Sequence, residues 1–286
     1  MLPWRDYPML FKQATMAWID DRAPSMGAAL AFYTAFSLAP LLVIVIAVAG
    51  MIYGVAAARG AVIGQFSDLL GTAGAEAVEK LLVAAAIEPG SVGATVLGFV
   101  LLFVGATTVL VELEDDLDRI WEAPPRKESG LVTMLRARLI SFSLILGIGF
   151  LLLVSLLVGG ALAALAHYWH FSLTDAIVVF ILDFLVMIAV FTIVFAMLYK
   201  WLPHVDIAWA DVWAGALVTA VLFNVGRLAI GFYLGHSAIA STYAAAGSFV
   251  VLLLWLYYSA QIFLFGAEFT WAYAKRRKSR SEATVG

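Results

Sequence analysis

GAALAFYTAFSLAPLLVIVIAVAGMIYGVAAA, residues 27–58, runs 32 positions without one charged side chain. A helix rises ~1.5 Å per residue, so about 20 apolar residues cross the ~30 Å hydrocarbon core of a bilayer. The stretch is long enough to span, and its spanning part is read as 27–52. Working outward, the same reading gives five more spans: 91–111, 139–166, 176–199, 212–234 and 247–271. Only Asp183 interrupts the fourth, and only Arg227 the fifth. Composition agrees. The 286 residues are 64% hydrophobic and 13% charged, with mean hydropathy +0.98. A soluble interior of this size cannot hide so much apolar surface. The expected fold is all-α: a polytopic integral membrane helix bundle of six transmembrane helices, one membrane domain over 1–274 and a basic tail at 275–286.

The cations orient that bundle. Fourteen of the seventeen Lys and Arg fall before span one, between spans two and three, between four and five, or after span six. Arg59 and Lys80 fall on the other side, and Arg227 lies within a span. Cytoplasmic loops hold the positive charge, so both termini are expected to be cytoplasmic. Tyr53, Trp169, Tyr199, Trp201, Trp209, Trp213 and Trp271 lie near span ends, as an interfacial belt requires.

The first apolar run follows Asp20, Asp21 and Arg22 and is too long for a signal core, so no cleavable signal peptide is expected. The chain has no cysteine, which removes disulfides and thiolate metal sites. Residues 4–20 set Tyr7, Leu10, Phe11 and Trp18 beside charges, the pattern of a helix lying on the inner surface, with Pro24 as its break before span one. An outer loop at 53–90 is expected to hold two short helices, near 62–70 and 75–86, ended by Pro89-Gly90.

Several blocks carry a resemblance. They are Ala28-Ala29-Leu30-Ala31-Phe32-Tyr33-Thr34 with Ser37-Leu38-Ala39-Pro40-Leu41, then Leu117-Asp118-Arg119-Ile120-Trp121, then Leu202-Pro203-His204. The strongest is Leu253-Leu254-Trp255-Leu256-Tyr257 leading to Phe265-Gly266-Ala267-Glu268-Phe269. Over almost its whole length the chain resembles the YihY/BrkB family of bacterial inner-membrane proteins, with its legacy label of ribonuclease BN-like. Asp118 stands where that family usually has Asn, and His204 where its Leu-Pro motif is usually followed by Asn. The resemblance implies a six-helix protein of the inner membrane whose molecular activity is undefined.

Ionisable groups inside a bilayer are functional pointers, because burying each costs about 2.5–3.5 kcal/mol even on lenient scales. Asp183 and Arg227 both fall in the outer half of their spans, and Asn224 shares a helix face with Arg227. The three either line a polar cavity for an anionic or amphipathic substrate, or Asp183 and Arg227 form a neutralising structural pair. Glu268, with Gln261 two turns earlier, is either an inner gate and proton acceptor or a packing carboxylate. Pro40 in mid-span frees backbone carbonyls near Phe36; it is a hinge candidate or a packing kink, with Thr34 and Ser37 as partners for those carbonyls. Gly231, Gly235 and the glycines at 93, 98 and 105 permit close helix approach, and with it a homo-oligomer.

Other clusters take plainer readings. Glu112, Glu114, Asp115, Asp116 and Asp118 spread around a helix, with Asp115 reaching Arg119, and read as a solvated extension rather than a Mg²⁺ site. His167-Tyr168-Trp169-His170 reads as an interfacial loop, not a metal site. The run Lys275–Arg280 favours anionic lipid over nucleic acid. No cofactor is expected. Hydrolase motifs such as H-E-x-x-H, G-x-S-x-G and the P-loop are not found in the sequence, and no enzymatic role is expected. The functional expectation is a transporter or flippase-like protein for a lipid or anionic amphipath. Its alternative is a non-transporting envelope scaffold, with the ribonuclease last.

Overall fold

The computed structural model describes residues 6–85, 108–124, 173–236 and 247–285. Every regular element among them is helical: α1 (Tyr7–Asp20), α2 (Ala23–Tyr53), α3 (Val55–Ala85), α4 (residues 108–120), α5 (Leu173–Trp201), α6 (Trp209–His236) and α7 (Gly247–Val285). Three helices among the described residues are long and apolar enough to cross a membrane, through windows at Phe184–Trp201, Trp209–Gly226 and Phe249–Ser279. The expected span 139–166, most of 91–111, the histidine cluster at 167–170 and glycines 93, 98 and 105 lie outside the described residues.

Two boundaries differ from expectation. Pro24 does not end α1. It sits in the first turn of α2, where its missing N–H would find no helical partner anyway. The break is made by Arg22, which adopts a left-handed conformation (φ 58°). At the other terminus the basic tail is no separate segment: α7 continues through it to Val285. Ala, Lys, Arg and Glu are strong helix formers and neither Gly nor Pro intervenes before Gly286.

Residue contacts divide the chain into two compact units. The first comprises Met1–Asp21, Leu117–Leu222 and Phe265–Gly286; the second comprises Arg22–Asp116 and Phe223–Leu264. In the second unit α2 and α3 meet at Gly54, a single residue with φ 84° that a side chain would strain. Ala31, Ala35, Leu42 and Ile46 of α2 share a core with Ala58, Ala77, Val78 and Leu82 of α3 and with Leu252 and Leu256 of α7. α3 is assigned as one helix, yet it is not straight. Twenty residues of straight helix would part Arg59 and Glu79 by about 30 Å. Their side chains instead lie 3.5 Å apart. The chain therefore turns back between them, within one helical element where two separate short helices were expected.

α2 runs unbroken past Pro40, whose own side-chain surroundings lie outside the described residues. The hydroxyl of Ser37 donates to the Thr34 carbonyl at 3.1 Å, so it is Thr34, not Phe36, whose carbonyl takes that bond. Gln261 belongs to this second unit. Its amide donates to the Ala23 and Pro24 carbonyls at 3.3 and 3.5 Å, and Gly27 leaves the room, since a Cβ there would fall on Gln261 Nε2. These are the contacts of a packing side chain.

In the first unit α1 lies on α7. Leu10 and Ala14 are buried with Phe269, Ala272 and Tyr273, and the Phe11 ring stands 5.0 Å from that of Phe269. Met9, Met16 and Ile19 remain exposed on α1. α6 and α7 pack through two matching segments, Gly215-Ala-Leu-Val-Thr219 and Gly266-Ala-Glu-Phe-Thr270. A Cβ on Gly215 would strike Thr270 Oγ1, and one on Gly266 would strike Thr219 Oγ1. Each glycine is the hole for the other helix's threonine, so the helices run antiparallel at close range.

Candidate functional site

The polar groups of the first unit gather around the ends of α1, α4, α5, α6 and α7. Glu268 is their most deeply buried charge. Gly266 and Thr270 face α6, and at 100° per residue Glu268 between them points to the other side of α7. It is 0% exposed, and no cation meets its carboxyl among the described residues; the group within hydrogen-bonding reach is a second carboxyl. The side chain that comes up to it is another acid, Asp21, with Asp20 beyond. Burying a carboxyl without a cation to meet it costs several kcal/mol.

On the α6 side of α7 the hydroxyls of Tyr199, Thr219 and Thr270 are all matched. Thr219 donates its only hydroxyl proton to the Gly215 carbonyl at 2.8 Å. The buried Tyr199 hydroxyl, 3.1 Å from Thr219 Oγ1, is therefore the donor in that pair. Thr270 donates to the Gly266 carbonyl at 2.6 Å.

A second cluster ties the α5–α6 connection to α4. The His204 backbone N–H donates to Asp118 Oδ1 at 2.7 Å, and its ring Nδ1 lies 2.8 Å from Oδ2. Lys200 donates to the Ile207 carbonyl at 2.8 Å and lies 3.6 Å from Asp206. Arg277 of α7 meets the buried Asp211 in the first turn of α6 at 3.0 Å. An acid there also answers the positive end of the helix dipole. Arg276 meets Asp6 at 3.1 Å, fastening α7 to the start of α1. Trp201, Trp209 and Trp213 form an exposed aromatic group beside these ion pairs, with ring centroids 6.1 and 6.3 Å apart.

The expected sites fare unevenly. Asp183 lies on α5 and Arg227 on α6, but their side chains lie outside the described residues, as do the surroundings of Gly231 and Gly235. Asn224 is wholly buried in the second unit, where Phe223 stacks edge-on against Trp255 at 6.2 Å. Glu268 and Gln261 fall in different units. The acidic run of α4 is not uniformly solvated: Glu114 and Asp116 are buried, on different sides of the helix. Arg119 lies 4.0 Å from Asp21, a different acid from the Asp115 expected. Among the described residues no group of three or more His, Cys, Asp and Glu could hold a metal.

Four of the five members of the motif Leu117–Trp121 thus have a use: Leu117 and Ile120 are buried, Asp118 holds His204, and Arg119 approaches Asp21. A family model described as virulence factor BrkB matches residues 15–285. The chain belongs to that family. Among curated BrkB relatives, it is 30% identical over 253 residues to a UPF0761 membrane protein of Ralstonia nicotianae, covering 87% of this chain and 55% of that one. It is 29% identical over 262 residues to a UPF0761 membrane protein of Pseudomonas paraeruginosa, covering 87% and 59%. A third, from Tolumonas auensis, is 29% identical over 183 residues, covering 62% and 56%. The chain spans a little over half the length of these relatives, and like them it is a membrane protein. No solved structure matches it. The two positions where this BrkB chain departs from the motifs, Asp118 and His204, are the two that touch. An acid that only accepts and an imidazole that can donate make a complementary pair.

Sequence reasoning missed the Gly215–Thr270 and Gly266–Thr219 exchanges. The signal was there, a glycine and a threonine four apart on each of two helices. It also left Lys275 and Lys278 as tail charges, although α7 carries Lys275 over the Trp271 ring and Lys278 about one turn further on.

Proposed function

We propose that this chain is a six-span protein of the bacterial inner membrane, both termini inside, that moves a lipid or another anionic amphipath across the bilayer. The observation that carries the reading is Glu268: a buried carboxyl with no cation against it among the described residues, on the longest apolar helix. Stability would favour its loss, so a working role is the better account of its presence. In this reading Glu268 is the inner gate. Asp183, Asn224 and Arg227 form the outer polar cavity, and the protein is a carrier without catalytic residues. A scaffold that moves nothing is the alternative, and the same assay separates the two.

The test is lipid translocation in proteoliposomes, read by quenching of outer-leaflet fluorescent phosphatidylglycerol. The protein is expected to speed translocation over empty vesicles. Glu268→Gln and Arg227→Ala are expected to slow it about tenfold or more while eluting as folded protein. Equal rates with and without protein, or variants as fast as the parent, would overturn the reading.

A further inference from the structure

We infer that the cleft between α4, the start of α6 and the end of α7 is a binding site for the phosphate ester of a lipid headgroup. The cleft has a volume of about 720 Å³ and is lined by Trp121, Asp211, Trp271, Lys275, Arg277 and Lys278, among others. On α7 the positions 271, 274, 275 and 278 form one helical stripe, so a single face presents two ammonium groups and an indole to the same space.

The charges leave a surplus. Asp206, also on the wall, lies against Lys200 at 3.6 Å, and Asp211 is met by Arg277 at 3.0 Å. Lys275 and Lys278 make no ion pair among the described residues. Two uncommitted cations therefore face one cleft. Lys275 Nζ sits 4.3 Å from the Trp271 ring centre, a cation–π contact that holds it in place without neutralising it. Trp121 adds a donor: its indole N–H is buried and finds no acceptor among the described residues. Two ammonium groups, a guanidinium already oriented by Asp211 and an indole N–H suit an oxyanion with several acceptor oxygens.

A lipid is favoured over a free anion because of what lies beside the cleft. Trp201, Trp209 and Trp213 are exposed and clustered on the same connection, and tryptophans of this kind settle at headgroup level. A lipid phosphate is held there by its own acyl chains, and the basic stripe has only to select it. This deepens the transport reading by naming the group recognised, and it rests on occupancy rather than movement.

The experiment uses the full chain in a neutral maltoside detergent. Dihexanoyl phosphatidylglycerol, dihexanoyl phosphatidylcholine and inorganic phosphate are titrated separately, with bound lipid counted by native mass spectrometry. Phosphatidylglycerol is expected to bind best, and K275Q/K278Q to weaken it about tenfold, as loss of charge-assisted bonds does. W121F, which keeps an aromatic ring but removes the N–H together with the indole's second ring, is expected to weaken it less. R59Q/K80Q removes the same charge elsewhere and is expected to change nothing. Equal binding of phosphatidylcholine, or no loss in a folded K275Q/K278Q, would overturn the site. Inorganic phosphate binding as tightly as the lipid would overturn the lipid assignment. If the cleft fails while Glu268→Gln still blocks translocation, the transport reading stands without it. If binding holds and translocation is absent, the cleft is a lipid anchor on a protein that moves nothing.

Discussion

At Gly266 the missing side chain is what the structure uses. A methyl there would meet both Thr219 Oγ1 and the Tyr199 hydroxyl, so it would push α6 from α7 and break the Tyr199–Thr219 bond. Gly266→Ala is expected to lower stability by about 1–3 kcal/mol, the usual range for overpacking. Gly60→Ala is the control, since nothing lies within 4 Å of its Cβ position and the residue is helical. It is expected to be neutral or to stabilise by about 0.4–1 kcal/mol. Thermal unfolding in detergent compares the two, and a Gly266→Ala as stable as the parent would contradict the packing described. The glycines that matter were only half legible in the sequence. Gly-x-x-x-Gly at 231–235 is the familiar spacing. Gly-x-x-x-Thr hides because a threonine looks like a knob until its matching hole on another helix is known.

Between elements, the Asp118–His204 contact joins α4 to the α5–α6 connection through two hydrogen bonds. Both partners are partly exposed, so the pair is worth less than a buried one. Asp118→Ala is expected to destabilise by roughly 1 kcal/mol and to open the 202–208 connection to protease. Asp118→Asn keeps an acceptor for the backbone N–H and is expected to behave nearly as the parent. If limited proteolysis cuts both variants at the same rate as the parent, the contact does not hold the connection in place. Sequence patterns could mark these two positions as unusual but could not join them, because 86 residues of chain lie between. Hydropathy located helices well for the opposite reason: the signal for α2, α5, α6 and α7 is local and repeated over many residues. It misread the basic tail because a charge run looks like a solvated end, whereas Arg276 and Arg277 are spent on Asp6 and Asp211.

For the molecule as a whole, the division into two units was not legible, since its boundaries cut through α4, α6 and α7 at 116–117, 222–223 and 264–265. Lipid is as apolar as leucine, so hydropathy says that a helix is in the membrane and not which helix it touches. Orientation is a different matter, because it follows from where Lys and Arg fall. Topology reporters inserted at 127–128 and fused after Gly286 are expected to read the same, cytoplasmic, face; opposite faces would undo the six-span reading. The reciprocal fit of α6 and α7 has a bearing on any working cycle. Slipping one rod past the other by a turn, about 5.4 Å, would set Thr219 against Thr270 in one direction and against Ile262 in the other. Neither stop offers a vacancy, so the two rods travel together as a fixed strut, and whatever moves must move around them.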